Sequence, residues 1–164
     1  MIGFELGKRI YLDEEPTESE GYEEAYKNLN LCDVAYYDSW GSMDGDELIQ
    51  KMRGMNIALS CDVIILDHIS IVVSGHDLTS DERRTIDNIM TKIRSLCEET
   101  GLVVIVVCHM NQPSGTPLEE GGRTSLRLLR GSRSIGQLSD IVIGMERNQQ
   151  ADDPVEASTT SLRI

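Results

Sequence analysis

The sequence predicts an α/β domain, a parallel sheet with helices against its faces. Two observations carry this reading. Val63–Leu66 and Leu102–Cys108 are uninterrupted apolar runs of strand length, as strands buried on both faces are. The stretch between them has helical periodicity, and the whole chain alternates strand and helix through short connections.

The elements follow in order. Residues 1–30 suit the tail of a helix, a turn and another helix. Residues 34–38, "VAYYD", read as a short strand. From Asp44 to Ser60, Leu48, Ile49, Met52 and Met55 fall at helical spacing, with acids in the first turn. A second helix opens on a Ser80 cap and keeps Ile86, Ile89, Met90, Ile93 and Leu96 on one face until Gly101 stops it. Ile141–Met145 is a third buried strand, and Thr160–Ile164 a possible fourth. Residues 1–164 are expected to form a single domain.

Composition bounds the function. The chain has 164 residues, enough for one domain with a real core. Aromatics make up only 4%, so that core is aliphatic. No apolar run reaches the ~20 residues of a membrane span, and "MIGFELGKRI" has no stretch suited to a secretory signal. Cys32, Cys61, Cys97 and Cys108 show no paired spacing, which points to reduced thiols rather than a zinc site. His68, His76 and His109 also lack ligand spacing. The net charge of −13 argues globally against a nucleic-acid binder. Its distribution says otherwise. Carboxylates crowd Asp13–Glu24, whereas Gly121–Ser139 holds Arg123, Arg127, Arg130 and Arg133 and no acid.

In parallel sheets, ligands bind beyond the carboxyl ends of the strands. Asp67, His109 and Glu146 each follow an apolar run at such an end. An Asp there suits Mg²⁺, which takes oxygen ligands and keeps several waters; a turn residue at a strand end has the same look. His109 suits a hydrogen bond to a terminal phosphate, or to a neighbouring backbone group. His68 reads as packing or as a hydrogen-bond partner. Met110–Leu138 is longer than loops usually run without a function. With its glycines and arginines it suits phosphate contact, or a solvated loop. It has no Phe, Tyr or Trp, so base stacking is not available to it.

In this order and spacing, "CDVIILDHISIVVSG", "VVIVVCHMNQP", "LRGSRSIGQLSD" and "ERNQQ" resemble the helicase half of phage primase–helicases, relatives of DnaB-type ring helicases and mitochondrial Twinkle. The likeness runs from about Ile2 to the last residue. It implies a RecA-like core that assembles into a homo-hexamer, hydrolyses ATP or dTTP with Mg²⁺, and moves single-stranded DNA through a central channel. It further implies primase and replicative polymerase as partners, and the host cytoplasm as location. By resemblance, Asp67 is the Mg²⁺-associated catalytic residue and His109 the sensor of the terminal phosphate. Arg147 packs on the nucleotide base. Arg123, Arg127, Arg130, Gly131, Ser132 and Arg133 form the DNA-gripping loop, and Gln137 links that loop to the nucleotide state.

The sequence also departs from the family. No G-x-x-x-x-G-K-[ST] loop is present, and the family's catalytic Glu and arginine finger find no matching positions. Asn111 stands where phage relatives often carry Lys, and Arg133 where Gly is usual. The expectation is therefore an incomplete RecA-like core, lacking the phosphate-loop strand and the C-terminal strands and inactive by itself. The rival is a RecA-like module that binds a partner or joins a ring without turnover. A recombinase-type ATPase fits less well, given the Leu129–Asp140 pattern.

Overall fold

The computed structural model describes residues 6–7, 15–30, 34–38, 43–72, 81–130 and 133–164. Two compact units are present, Met1–Ser39 and Trp40–Ile164. In the first, a 3₁₀ turn (Pro16–Glu18) leads into helix α1 (Tyr22–Asn30). Glu23 and Glu24 sit in its first turn, where the helix dipole favours acids. Tyr22 and Tyr26, one turn apart, stack with centroids 6.3 Å apart, and Ala25 is buried. The expected strand at 34–38 does not form; Val34, Tyr36 and Tyr37 are exposed there. β-type composition is not enough, because a strand exists only within a ladder. Residues 1–5 and 8–14, which would hold the expected N-terminal helix tail, lie outside the described residues.

The second unit begins with α2 (Gly45–Leu59). Its N-cap is Asp44, whose carboxylate accepts from Asp46 N–H at 2.6 Å. Strand β1 (Val63–Leu66) and a 3₁₀ turn (Ile69–Val72) follow. Next come α3 (Asp81–Thr100), β2 (Val103–Val106), a 3₁₀ turn (Leu126–Leu128) and α4 (Ser134–Leu138). The unit closes with β3 (Gly144–Glu146), α5 (Pro154–Ser158) and β4 (Ser161–Arg163). Ser80, the expected cap of α3, is outside the described residues. The stop at Gly101 is formed as expected: its φ is +73°, a left-handed conformation that costs glycine little.

Helix α3 organises this unit, packing against α2, α4, β2 and the turn after β1. Ile86, Ile89, Met90, Ile93 and Leu96 form one buried stripe, the face its periodicity predicts. Leu48 and Met52 of α2, Ile69, Leu102 and Ile135 complete the core. Opposite α2, Arg53 pairs with Glu99 and Lys92 with Asp46 on the polar side.

β1 and β2 pair in parallel, Val63 with Val103 through Leu66 with Val106. The sheet corrects one expectation. The two strands are not covered on both faces by the described residues: even-numbered positions pack on the core, while Val63, Ile65, Val103 and Ile105 are 48–66% exposed. The third strand differs as well. It starts at Gly144 rather than Ile141 and pairs antiparallel with β4, in a separate two-stranded sheet.

That hairpin is held by Glu146. Arg163 donates to it through Nε at 2.6 Å and Nη2 at 3.1 Å. Thr124, itself buried, donates its backbone N–H at 2.7 Å and its hydroxyl at 2.8 Å to the same carboxylate. Arg163 foremost, then Thr124, lowers the Glu146 carboxyl to about 2. Gly144 lets the strand pass against Thr124; a Cβ there would collide with that side chain.

Two outcomes are expected. Leu96→Ala should cost about 2–5 kcal/mol in urea unfolding, the usual range for a buried Leu truncation. Glu146 has a folded-state value below its ordinary 4.5, so its stabilising contribution is present at neutral pH and fades as pH falls from about 4.5 through about 2. The melting-temperature gap between wild type and Glu146→Gln should therefore be widest near neutrality and close in acid. A gap independent of pH would show that the carboxylate charge is not what holds the hairpin.

Candidate functional site

The parallel register ends both strands at the same level, and the pairing continues beyond them. Val107 N–H donates to Leu66 O at 2.9 Å, and Ile69 N–H donates to Val107 O at 3.0 Å. Residues 67–69 are thereby laid beside 107–109. Asp67 is exposed at this edge, and among the described residues no hydrogen bond or ion pair takes up its carboxylate. The rings of His68 and His109 meet edge-on with centroids 4.4 Å apart. His68 Nδ1 is sealed from solvent and unpartnered among the described residues. His109 is exposed.

One exposed carboxylate at a strand end fits a Mg²⁺ held mainly through phosphates and waters. Among the described residues no cluster of three or more His, Cys, Asp or Glu could hold a metal on its own. Mg²⁺ beside phosphates does not need such a cluster.

The arginine-rich stretch is tied to this edge rather than loose. Met110 bridges Leu129; Asn111 N–H donates to Leu128 O at 2.7 Å, and Arg130 N–H donates to His109 O at 3.0 Å. The Cys108 thiol donates to the carbonyls of His109 and Arg130, and its burial pushes its pKa up, which keeps it a donor. Further on, Glu120 bridges Asn148, and Gln149 N–H donates to Glu119 O at 2.9 Å. Gly122 is buried where the chain doubles back, and a Cβ there would strike the carbonyls of Thr116 and Pro117. The sequence suggested an open loop from Met110 to Leu138. Its described residues bond to His109, just past β2, and to Glu146 of the β3–β4 hairpin.

The guanidinium-bearing residues Arg123, Arg127, Arg130 and Arg133 are all exposed, as is Gln137 on α4. Gly131 and Ser132 lie outside the described residues. Arg147 donates through Nε to Ala157 O at 2.6 Å, which anchors it to α5. Glu146, read as a third polar strand end, belongs to neither β1 nor β2, and its carboxylate is engaged by Arg163 and Thr124.

Two positioning contacts escaped the sequence reading. Asp140, inside the Leu129–Asp140 pattern, takes a two-pronged bond from Arg94 of α3 at 2.7 and 2.8 Å. This ties the exit of α4 to the central helix. The other is the Thr124–Glu146–Arg163 clamp. Only the polar side of α3's periodicity hinted at the first. Nothing local to the sequence signalled the second, whose members lie 17 and 22 positions from Glu146.

Residues 10–164 match the model of the DnaB-like helicase C-terminal domain. Over 135 residues the chain is 46% identical to a DNA helicase/primase of Enterobacteria phage T3. That alignment covers 81% of this chain and 24% of the phage protein, so the chain spans about a quarter of that relative's length. The strand-end residues and the arginine stretch all fall inside the matched span. The chain belongs to the DnaB-like helicase C-terminal domain family, and its incomplete α/β fold is of that family's RecA-like type.

Proposed function

We propose that this chain forms the nucleotide-responsive middle of a phage replicative DNA helicase. In the working assembly, expected to be a homo-hexamer, hydrolysis of ATP or dTTP drives movement along single-stranded DNA in the 5′-to-3′ sense. Primase and replicative polymerase are its expected partners, and the host cytoplasm its place of action. Family members use a nucleoside triphosphate with Mg²⁺. The observation that best supports this reading is the direct backbone bond between His109 and Arg130, which joins the strand-end residues to the arginine stretch.

Each residue has a role set by its position. Asp67 offers its carboxylate to Mg²⁺, which when bound neutralises charge building on the transferred phosphoryl group. His109 donates a hydrogen bond to the terminal phosphate, with its ring held by His68. Loss of that phosphate frees His109, and the shift passes through its carbonyl to Arg130. Arg123, Arg127, Arg130 and Arg133, with Gly131 and Ser132, hold DNA phosphates, and Gln137 links that loop to the nucleotide state. Arg147, fixed by α5, packs on the base.

Two tests follow. Arg127→Ala and Arg130→Ala should each weaken single-stranded DNA binding evenly across sequences, and each should reduce the log–log salt slope by about 0.7. Unchanged affinity and slope in both would remove the loop from the DNA path. Residues 1–164 contain no phosphate-cradling G-x-x-x-x-G-K-[ST] loop, so this polypeptide alone should release no phosphate from ATP or dTTP, with or without DNA. Turnover by the purified chain would show that the triphosphate is held by other residues.

A further inference from the structure

Beside the arginine stretch, α3 and α4 enclose an open depression of about 660 Å³. Arg83, Asp87 and Thr91 line it from α3; Arg133, Ser134 and Gln137 line it from α4. We propose that this depression is a phosphodiester subsite that carries single-stranded DNA off the loop and onto α3, with Arg83 as a backbone contact. The proposal rests on the nucleic-acid reading above and extends it to a helix that reading does not use.

The charge pattern supports a ligand here. In a chain of net charge −13, carboxylates are plentiful, and some of the described arginines take one up. Arg53 pairs with Glu99, Arg94 with Glu98 and Asp140, and Arg163 with Glu146. Among the described residues Arg83 and Arg133 have no ion pair, like Arg123, Arg127 and Arg130 of the loop and like Arg84 and Arg147, and these two line one depression. Two guanidiniums facing one space attract an anion, and their planar forks match phosphate oxygens.

The lining also selects among phosphates. Two guanidiniums against the Asp87 carboxylate leave a surplus of one positive charge, enough for a diester and poorly matched to a triphosphate. The Thr91 hydroxyl is committed to the Asp87 carbonyl at 2.9 Å. Arg83, Arg133 and the Gln137 amide are the N–H donors of the lining. Position agrees with this, since Arg133 and Gln137 continue directly from the stretch holding Arg127 and Arg130.

The test is fluorescence anisotropy with labelled oligo-dT and a mixed-sequence oligonucleotide across a salt series. The proteins are the 164-residue chain and its Arg83→Ala, Arg83→Lys, Arg84→Ala and Arg130→Ala variants. Arg84 is the next residue on α3, exposed but outside the depression. Arg83→Ala should weaken both oligonucleotides alike and reduce the salt slope by about 0.7. Arg83→Lys should keep the slope, and Arg84→Ala should match wild type. Matched thermal melts exclude a folding defect.

If Arg83→Ala binds as wild type while Arg130→Ala is weakened, DNA stops at the loop: the subsite is wrong and the nucleic-acid reading survives. If wild type binds neither oligonucleotide, both fall. Displacement of the oligonucleotide by dTTP from wild type but not from Arg83→Ala would make the depression a nucleotide site and overturn the assignment.

Discussion

The register of two strands is the constraint on which the site depends. Val63 opposes Val103, and the pairing proceeds without a bulge to Leu66 and Val106. A slip of β1 by one residue would turn Ile64 and Leu66 away from the core, and a slip of β2 would do the same to Val104 and Val106. Either slip would separate His68 from His109. Core packing and site geometry are therefore fixed together. The buried face of each strand determines where its first polar residue emerges.

From that edge, the polar half of the molecule is held by few and specific bonds. Arg130 to His109, Thr124 to Glu146, Asn148 to Glu120 and Arg94 to Asp140 each join segments distant in sequence. A single backbone hydrogen bond contributes on the order of 1 kcal/mol net. Such a link is firm enough to place Arg130 and weak enough to yield in the switch proposed for His109. The Glu146 clamp, which gathers four donations from Thr124 and Arg163, is a sturdier anchor, so movement should concentrate between residues 125 and 130 rather than at the hairpin.

The sequence revealed what local chemistry dictates. The helix after Asp44, the 3.6-residue stripe of α3, the Gly101 stop and the two apolar runs all formed where the pattern puts them. Asp67 and His109 were legible because a polar residue after a buried strand has only one place to go. The Val34–Asp38 strand failed because pairing is not a property of a single segment. Ile141–Met145 was misread as a parallel core strand because apolarity alone does not say which sheet a strand joins; β4 supplied an antiparallel partner only from Ser161 onward. Helix α5 was missed although Asp153 caps it and Pro154 opens it, since five residues give too little periodicity to read.

The exposed face of β1 and β2 reconciles the pattern with the structure. Val63, Ile65, Val103 and Ile105 are β-branched and apolar at positions that an antiparallel, half-solvated strand would fill with polar residues. Leaving four such side chains half-exposed or more forfeits most of their burial energy, roughly 1.5–3 kcal/mol for each when complete. No described helix covers that face, whereas the other packs against the core that α3 organises. The residue choice is thus that of a strand covered on both sides, and the described residues supply one of the two covers. Asp67 stands on the border between them. Its backbone follows the paired strand, and its carboxylate is exposed at the edge where the nucleotide site is proposed.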